Sequence, residues 1–551
     1  MSRRITLNLG LRYDVTYPIK DTKNRLANYV PSQGIVQVGN GISEPYQTNY
    51  GNISPRLGAA WDIFGTGKTV LRSGFGMIYV QPSIRTYVFS SGGLNLNPSG
   101  LDKVLPDGTI IPANGNITSF LLQGADPGLI KWDTTGPIFP VKNSSLNVCS
   151  FDSPCSIFAV DQHLKTPYVL NWNLNIQQAI TKSSVLQLAY VANHGVRLYS
   201  TVDLNQVEQP LVASLPACAG YGLGDPNGVN ATCQQSARPF VANCPVSLNG
   251  TGRGGTCFPY LSFVNFLGNQ SSSTYHSLQA TFTKRYAQGL YVLAGYTYGH
   301  AIDTAGNTNN LGFAPQNSLN YKAEKASGDY DIRHRFTLSA TYDIPSRKSW
   351  GQILEGWQAT SIAMWETGPP VLFFDNFNDI TGTNEGPGNA NNDRWNILGN
   401  PNNLKWSQSL PIPFLGPSDP VCQSVATTQA LQDALNFAGG CFAQNGTIIY
   451  PNAALTFGNM GRNIFRGPGF VNWDASVTKI WRFNEKIKLQ FRGEVFNLLN
   501  HPNFAPSAVG GDLTSPNSLG LAGTTPDVQA ANPVVGSGGS RHIQLGLKLV
   551  W

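Results

Sequence analysis

The segment from Ile332 to Ile344, which has the sequence IRHRFTLSATYDI, constrains the possible folds of this chain more than any other. Apolar or aromatic side chains occupy every second position from Phe336 to Tyr342, and polar side chains lie between them. Because successive side chains of a β-strand point to opposite faces, one face of this segment is apolar and the other is polar. A tilted strand needs about 9–11 residues to cross a bilayer, and this segment is long enough.

The same alternation recurs along the chain. It predicts strands at residues 4–17, 53–63, 69–80, 167–180, 185–199, 274–286, 290–301, 332–344, 356–367, 472–482, 487–498 and 541–551. The strand at 356–367 has the weakest pattern, because polar and apolar side chains are mixed on both of its faces. We therefore predict an all-β fold, an antiparallel transmembrane β-barrel of roughly twelve or more strands.

Charge content supports this class of fold. Charged residues make up only 12% of the 551 residues, about half of the ~25% found in soluble domains. No stretch approaches the roughly 18 consecutive apolar residues of a membrane-spanning helix. The net charge of +6 is modest and spread along the chain, so we predict no nucleic-acid partner.

The links between the predicted strands alternate between short and long. Short links lie at 64–68, 181–184, 287–289, 345–355 and 483–486, and long loops lie at about 18–52, 81–166, 200–273, 302–331, 375–471 and 499–540. Outer-membrane barrels have short periplasmic turns and long extracellular loops. We therefore assign the whole chain, residues 1–551, to a barrel of the bacterial outer membrane with its long loops outside the cell.

The cysteines all fall in these long loops, and each loop that contains cysteines has an even number of them. This distribution indicates local disulfide bonds in an oxidising compartment, with a connectivity that the sequence does not define. No CxxC pair has zinc spacing, so no metal site is predicted here. The candidate disulfide cysteines are Cys149, Cys155, Cys218, Cys233, Cys244, Cys257, Cys422 and Cys441.

We predict no enzyme, cofactor or metal site. The GTGKT segment at Gly65–Thr69 has part of a phosphate-loop motif, but Asp62 replaces the required first glycine and the segment links two strands, so we predict a turn. The stretch 375–394, rich in Asn and Asp, lacks the spacing of a calcium loop, and we interpret it as a solvated surface loop. The histidines form no ligand pattern, and His334 suits the headgroup level of the membrane.

The polar strand faces supply the candidate solute contacts. The side chains that we predict to face the lumen are Arg333, Arg335, Lys488, Arg492 and Glu494, together with Arg12, Arg56 and Arg72. One interpretation is a wall that contacts a plug or guides a polar solute. The other is that any wet lumen needs polar side chains, whatever passes through it. The sequence favours neither interpretation over the other.

Several of these segments resemble the barrel of Oar-like TonB-dependent outer-membrane receptors. They are TPYVLNWNLNIQQAI and SSVLQLAYVANHGVRL, STYHSLQATFTKRYAQGLYVLAGYTYGHAID, DYDIRHRFTLSATYDIP, FGNMGRNIFRGPGFVNWDASVTKIWRF and KLQFRGEVFNLLNHPNF. The final HIQLGLKLVW resembles the signal recognised by the β-barrel assembly machinery, which implies that Leu547, Leu549 and Trp551 act in assembly.

The resemblance implies a barrel of about 22 strands around a plug. The first residues of the chain continue a strand pattern and lack a signal peptide, so we expect the C-terminal part of such a barrel, without a plug domain. The expected function is reception or transport of a siderophore, a carbohydrate or a peptide, with TonB coupling if a plug is supplied. The expected partners are outer-membrane lipid and the assembly machinery. The alternatives are a non-transporting surface adhesion or structural protein, or an inactive truncated fragment.

Overall fold

The computed structural model describes residues 4–20, 27–31, 34–39, 41–81, 151–152, 154–223, 229–304, 315–345, 349–375, 378–383, 393–505, 511–525 and 538–551, and four short strands between 103 and 138. Within these residues, no helix is long and apolar enough to span a bilayer.

One large antiparallel sheet contains twelve long strands in chain order. The strands are β1 (Ile5–Thr16), β2 (Asn49–Asp62), β3 (Thr69–Tyr79), β4 (Tyr168–Ala179), β5 (Ser184–Asp203), β6 (Leu261–Ala287), β7 (Leu290–Asp303), β8 (His334–Asp343), β9 (Trp357–Glu366), β10 (Phe470–Arg482), β11 (Lys488–Phe496) and β12 (His542–Val550). Each pairs with the strand before and after it, and the path ends at β1 and β12. The predicted all-β antiparallel fold is confirmed.

The register keeps the two faces separate across the sheet. On β8 and β9, Phe336 lies opposite Trp365 on one face, and Arg335 lies opposite Glu366 on the other. The pattern continues to β12, where Leu545 and Leu547 lie on the apolar face. A shift of one residue would move a whole strand's apolar set to the polar face, so the alternation fixes the register. We call these two surfaces the apolar face and the polar face.

One predicted loop is wrong in its bounds. We expected a loop at 200–273, but β5 extends to Asp203 and β6 begins at Leu261. The residues from Leu261 to Leu267 are mostly buried, because Cys155–Val160 pairs with them in parallel. A strand covered on both faces is apolar in consecutive positions, so it does not show the alternation from which we predicted strands.

Short turns and long loops emerge from opposite ends of the strands, which we call the short-turn end and the long-loop end. Small elements build the loops. The helices are Gln209–Val212, Val229–Ser236, Pro239–Ala242, Pro420–Gln423 and Gln429–Ala438, with 3-10 turns at Pro216–Cys218, Val246–Leu248, Ser318–Glu324, Trp350–Gln352 and Pro401–Asn403. The small strands are Ala27–Val30, Gly34–Val38, Gly41–Ile42, Lys103–Val104, Ile110–Ile111, Lys131–Asp133, Gly136–Ile138, Ala326–Ser327, Pro370–Val371, Asn396–Leu398, Phe414–Leu415, Cys441–Gln444, Thr447–Tyr450 and Phe465–Arg466.

The loops have a hydrophobic core of their own. Its largest cluster joins the segment between β9 and β10 to the segment between β11 and β12, with Trp395, Phe442 and Met460 fully buried beside Leu513 and Leu519. The helix Gln429–Ala438 packs in a neighbouring cluster through Leu435. Burying each such side chain stabilises the loops by about 1.5–3 kcal/mol. The described parts of these two segments therefore form a packed layer at the long-loop end of the sheet.

Candidate functional site at the long-loop end

Arginine side chains from one loop reach the rim of the sheet. Arg462 is 1% exposed, and its guanidinium bonds the carboxylate of Asp303, the last residue of β7. It also donates to the carbonyl of Glu324 at 3.1 Å and lies 3.4 Å from the carboxylate of Asp329. Asn463 donates to the same Asp329 carboxylate at 2.6 Å. The loop between β9 and β10 is thereby fixed to the loop between β7 and β8.

Asp331 organises the second part of this network. Its carboxylate accepts hydrogen bonds from Arg466 at 2.6 Å, Arg333 at 2.8 Å and the backbone N–H of Ala301 at 2.7 Å. Burial opposes ionisation, but the Ala301 bond and the two guanidinium groups outweigh it and lower the pKa of Asp331. His300 lies 3.3 Å from Asp331 and 3.2 Å from Arg333. This carboxylate therefore stays ionised at neutral pH.

Arg394 forms the third link, a buried ion pair with Glu324. Its two terminal nitrogens donate to the two carboxylate oxygens at 3.0 and 2.8 Å, and its Nε donates to the carbonyl of Met460 at 3.0 Å. A bidentate pair of this kind fixes the relative orientation of the two side chains and also strengthens their interaction. We call the set Asp303, Glu324, Asp329, Asp331, Arg333, Arg394, Arg462 and Arg466 the rim network.

The loop between β5 and β6 joins the same assembly. Arg238 pairs with Asp203 at 3.1 Å, and both side chains are buried. The Gln206 amide donates to Asn317 at 3.1 Å, and the Gln209 amide donates to the carbonyl of Thr381 at 2.7 Å. The described parts of the loops after β5, β7 and β9 are therefore held together, and we call them the cap: residues 204–223, 229–260, 304, 315–333, 367–375, 378–383 and 393–469.

The described parts of the stretch 375–394, which are residues 375, 378–383 and 393–394, are not solvated as we expected. Asp375, Thr381, Asp393 and Arg394 are all buried. Asp375 accepts from the Trp395 indole at 3.0 Å, and Asp393 accepts from the Thr381 hydroxyl at 2.9 Å. The side chains of Asp375 and Asp393 bond other groups of the protein rather than water, which composition alone does not separate from hydration.

Asp393 belongs to a group of close carboxylates. Burial, and then the charges of Asp379 and Asp375, raise the pKa of Asp393 to about 8, although bonds from Thr381 oppose the shift. In the part of the chain that the structure describes, no group of three or more His, Cys, Asp or Glu side chains has the arrangement of a metal site.

The candidate solute contacts lie on the polar face or at its rim. Arg335 lies 3.6 Å from Glu366, and Arg492 lies 3.7 Å from Glu494. Lys488 lies opposite Val550 at the short-turn end. Arg333 lies just before β8 and belongs to the rim network. Arg12, Arg56 and Arg72 occupy the same face of β1, β2 and β3.

The apolar face has aromatic side chains near the long-loop end. The Tyr296 hydroxyl lies 2.8 Å from Nδ1 of His334, and the Tyr298 ring lies 5.1 Å from the His334 ring. Tyr190 and His276 form a second such pair at 2.7 Å. Rings with one polar end suit the boundary between hydrocarbon and headgroups. At the C-terminus, Leu547, Leu549 and Trp551 are all exposed.

Three disulfide bonds lie in the cap. They join Cys218 to Cys233, Cys244 to Cys257, and Cys422 to Cys441. Each bond stays within one loop. Cys149 lies outside the described residues, so its predicted pairing with Cys155 stays a prediction.

The GTGKT segment forms a turn held by Asp62. Its carboxylate accepts from the N–H groups of Gly65 at 3.0 Å and Gly67 at 2.8 Å, and both glycines have positive φ. The residue that breaks the nucleotide motif therefore stabilises the turn, as its two acceptor oxygens allow.

Sequence reasoning missed the rim network. Asp303, Asp329, Asp331, Arg462 and Arg466 lie within or beside segments that have the strand pattern, but the alternation does not single them out. No local pattern distinguishes these charged side chains from those of other loop residues. Their partners are far apart in sequence, so pattern reasoning could not pair them.

The fold and the sequence together define the class of protein. The chain belongs to the outer membrane beta barrel domain family, whose model matches residues 1–544. It is therefore a bacterial outer-membrane protein, as predicted. A search of curated proteins returns no match.

The solved structures that match this chain share little sequence with it, and their TM-scores are low. The outer membrane transporter YddB from Escherichia coli is 11% identical, with a TM-score of 0.38, over 92% of this chain and 41% of that one. FpvA from P. aeruginosa, bound to heterologous pyoverdines, is 9% identical, with a TM-score of 0.36, over 99% and 36%. The ferric enterobactin receptor PfeA from Pseudomonas aeruginosa is 11% identical, with a TM-score of 0.38, over 100% and 43%. The chain spans about two-fifths of the length of these receptors.

Proposed function

We propose that this chain forms part of the barrel wall and the extracellular cap of a receptor or transporter of the TonB-dependent type. The solute is a siderophore, a carbohydrate or a peptide. The observation that carries the proposal is the rim network, because it holds an ordered cap at the long-loop end of the sheet, where the polar face ends. A cap fixed at the mouth of a polar channel is suited to capturing a solute and controlling its entry.

In this proposal the side chains of Arg335, Arg492 and Glu494 contact water or solute in the lumen. The apolar face contacts lipid, and Leu547, Leu549 and Trp551 are recognised by the β-barrel assembly machinery. Coupling to the TonB system requires that a plug be supplied. A non-transporting adhesion or structural protein is the alternative, as is an inactive fragment, and neither requires a conducting lumen.

Ion conductance tests the proposal against these alternatives. The protein is purified in detergent and added to planar bilayers in KCl. We expect small, rare openings for the unmodified chain, because the cap covers the mouth. The double variant Arg462→Ala, Arg466→Ala should conduct more often, since it releases the cap from Asp303 and Asp331.

The matched control is Arg482→Ala, which removes an arginine at the short-turn end of β10. It should behave like the unmodified protein. Equal and negligible conductance in all three proteins, each shown to be inserted, would contradict a transport function and favour the adhesion alternative.

A further inference from the structure

A cavity of about 270 Å³ lies at the extracellular end of β2 to β5, apart from the rim network. Its lining includes Lys165, just before β4, and Arg197, within β5. Tyr50 and Tyr79 add aromatic surface, and Asn52 adds an amide. No residue of the cavity lining belongs to the rim network, so this is a separate site.

The charged side chains that line the cavity are both positive. Lys165 and Arg197 contribute two positive charges, and none of the described residues that line the cavity has a carboxylate. Neither side chain forms an ion pair with any residue that the structure describes. The acidic side chain bonded to the lining is Glu44, which accepts from the Thr48 hydroxyl at 3.4 Å and lies 3.9 Å from Lys20. The two cations are therefore available to an anion.

One side chain, that of Asn269, fixes the spacing of these cations. Its amide oxygen accepts from the backbone N–H of Lys165 at 2.7 Å. Its amide nitrogen donates to the carbonyl of Lys165 at 3.0 Å and to the carbonyl of Arg197 at 2.6 Å. Two segments far apart in sequence are thus joined at the residues that carry the charge.

Arg197 also has an unusual backbone. Its φ is 56°, in the left-handed region, where the ladder between β5 and β6 shifts register between Gly195 and Leu198. A non-glycine residue in this conformation is strained, and a bulge re-aims the side chain of the residue at which it lies. The irregular backbone therefore lies at the residue whose guanidinium lines the cavity.

The floor of the cavity is rigid before any ligand binds. Asn52 is buried, and its amide donates to the hydroxyls of Thr16 and Thr166, each at 3.2 Å. The Asn49 amide donates to the carbonyl of Leu164 at 2.9 Å. A preorganised site loses less free energy on binding, because its side chains are already ordered.

We propose that this cavity binds the phosphate ester of a sugar. Lys165 and Arg197 bind the phosphate through charge-assisted hydrogen bonds, and the tyrosines contact the sugar ring. The volume suits a monosaccharide rather than the larger ligands of typical pockets of about 300–1,000 Å³. Two sources share this chemistry: a soluble sugar phosphate, and the phosphorylated sugar headgroup of an outer-leaflet glycolipid.

Calorimetry on the full chain in neutral detergent tests the proposal, with glucose 1-phosphate as the probe and glucose as the uncharged comparison. We expect glucose 1-phosphate to bind at least about 10-fold more tightly than glucose, the preference that one charged hydrogen bond supplies. The double variant Lys165→Gln, Arg197→Gln should lose this preference. The control Lys182→Gln, Arg285→Gln, with the same change of charge at the short-turn end, should keep it.

A competition arm separates the two sources. Lipid A in the same detergent should displace glucose 1-phosphate if the ligand is a glycolipid headgroup, and failure to displace it assigns the site to a soluble sugar phosphate. The proposal is overturned if the unmodified chain binds glucose and glucose 1-phosphate equally. It is also overturned if the Lys165→Gln, Arg197→Gln protein keeps the preference. Either result leaves the conductance test of transport unaffected.

Discussion

Arg394 and Glu324 form a bidentate ion pair at 2.8 and 3.0 Å between side chains that are only 4% and 1% exposed. Removing one member leaves the other charge buried and unpaired, which costs about 3–5 kcal/mol. We therefore expect Glu324→Leu to open the cap at much lower urea concentration, measured by chymotrypsin cleavage within residues 393–466. The double variant Arg394→Met, Glu324→Leu should recover part of the loss.

The control for this pair is Arg335→Met. Arg335 and Glu366 are 3.6 Å apart, and the Arg335 side chain is 55% exposed. Exposed pairs contribute about 0–1 kcal/mol, so the cleavage midpoint should hardly move. If Glu324→Leu is no more sensitive to urea than Arg335→Met, the buried pair does not hold the cap.

The cap should loosen as the pH rises. The pKa of Asp393 is raised to about 8, mainly by burial and next by Asp379 and Asp375, whereas an unfolded Asp has a pKa of about 3.9. The folded state binds this proton more tightly, so its contribution is complete below about pH 4 and is lost as the pH rises to 8. Hydrogen exchange of residues 393–397, corrected for the intrinsic rate, should be faster at pH 9 than at pH 5.

Asp393→Asn provides the matched variant, because an amide has nearly the same shape and does not ionise. It should flatten this pH dependence while keeping the protection seen at pH 5. An unchanged pH dependence in Asp393→Asn would assign the effect to another group.

The Cys422–Cys441 bond should stabilise one part of the cap. It closes a loop that contains the helix Gln429–Ala438, and a cross-link over 19 residues contributes about 3 kcal/mol. Cys422→Ser with Cys441→Ser should increase hydrogen exchange in that helix. Cys218→Ser with Cys233→Ser, in another loop, should leave the helix unchanged. Equal effects of the two pairs would contradict local action.

The C-terminal strand should matter for assembly. Leu547 and Trp551 are exposed, and Leu547 lies on the apolar face of β12. A carboxylate at a lipid-facing position is unfavourable, so Leu547→Asp should reduce the heat-shifted, folded fraction in outer membranes, and Trp551→Ala should slow its appearance. Lys548→Gln, on the polar face of the same strand, should assemble normally. Normal assembly of Leu547→Asp would contradict both the face assignment and the signal.

Much of the sheet could be predicted because its information is local. Alternation along Phe336 to Tyr342 is set by the pleat, and it identified β8 and its two faces. Even β9, whose pattern is weak, was predicted within a residue of its bounds at Trp357 and Glu366. The start of β6 at Leu261 was missed, because loop segments cover both of its faces.

The site was less predictable, since its contacts join distant segments. Arg462 bonds Asp303 across 159 positions of the chain, and Asn269 bonds Lys165 across 104. In the sequence, nothing distinguishes any one of these four residues from its neighbours. Burial of Asp375 and Asp393 likewise depends on loops that pack over them, which their own sequence does not encode.

The central claim is that one face of the sheet contacts lipid and the other contacts water. Single nitroxide labels at each position from Arg335 to Asp343, in the protein reconstituted in bilayers, test it directly. Collision with oxygen should peak at Phe336, Leu338, Ala340 and Tyr342, and collision with a water-soluble nickel complex should peak at the positions between them. Equal access of the nickel complex to both sets would contradict the account.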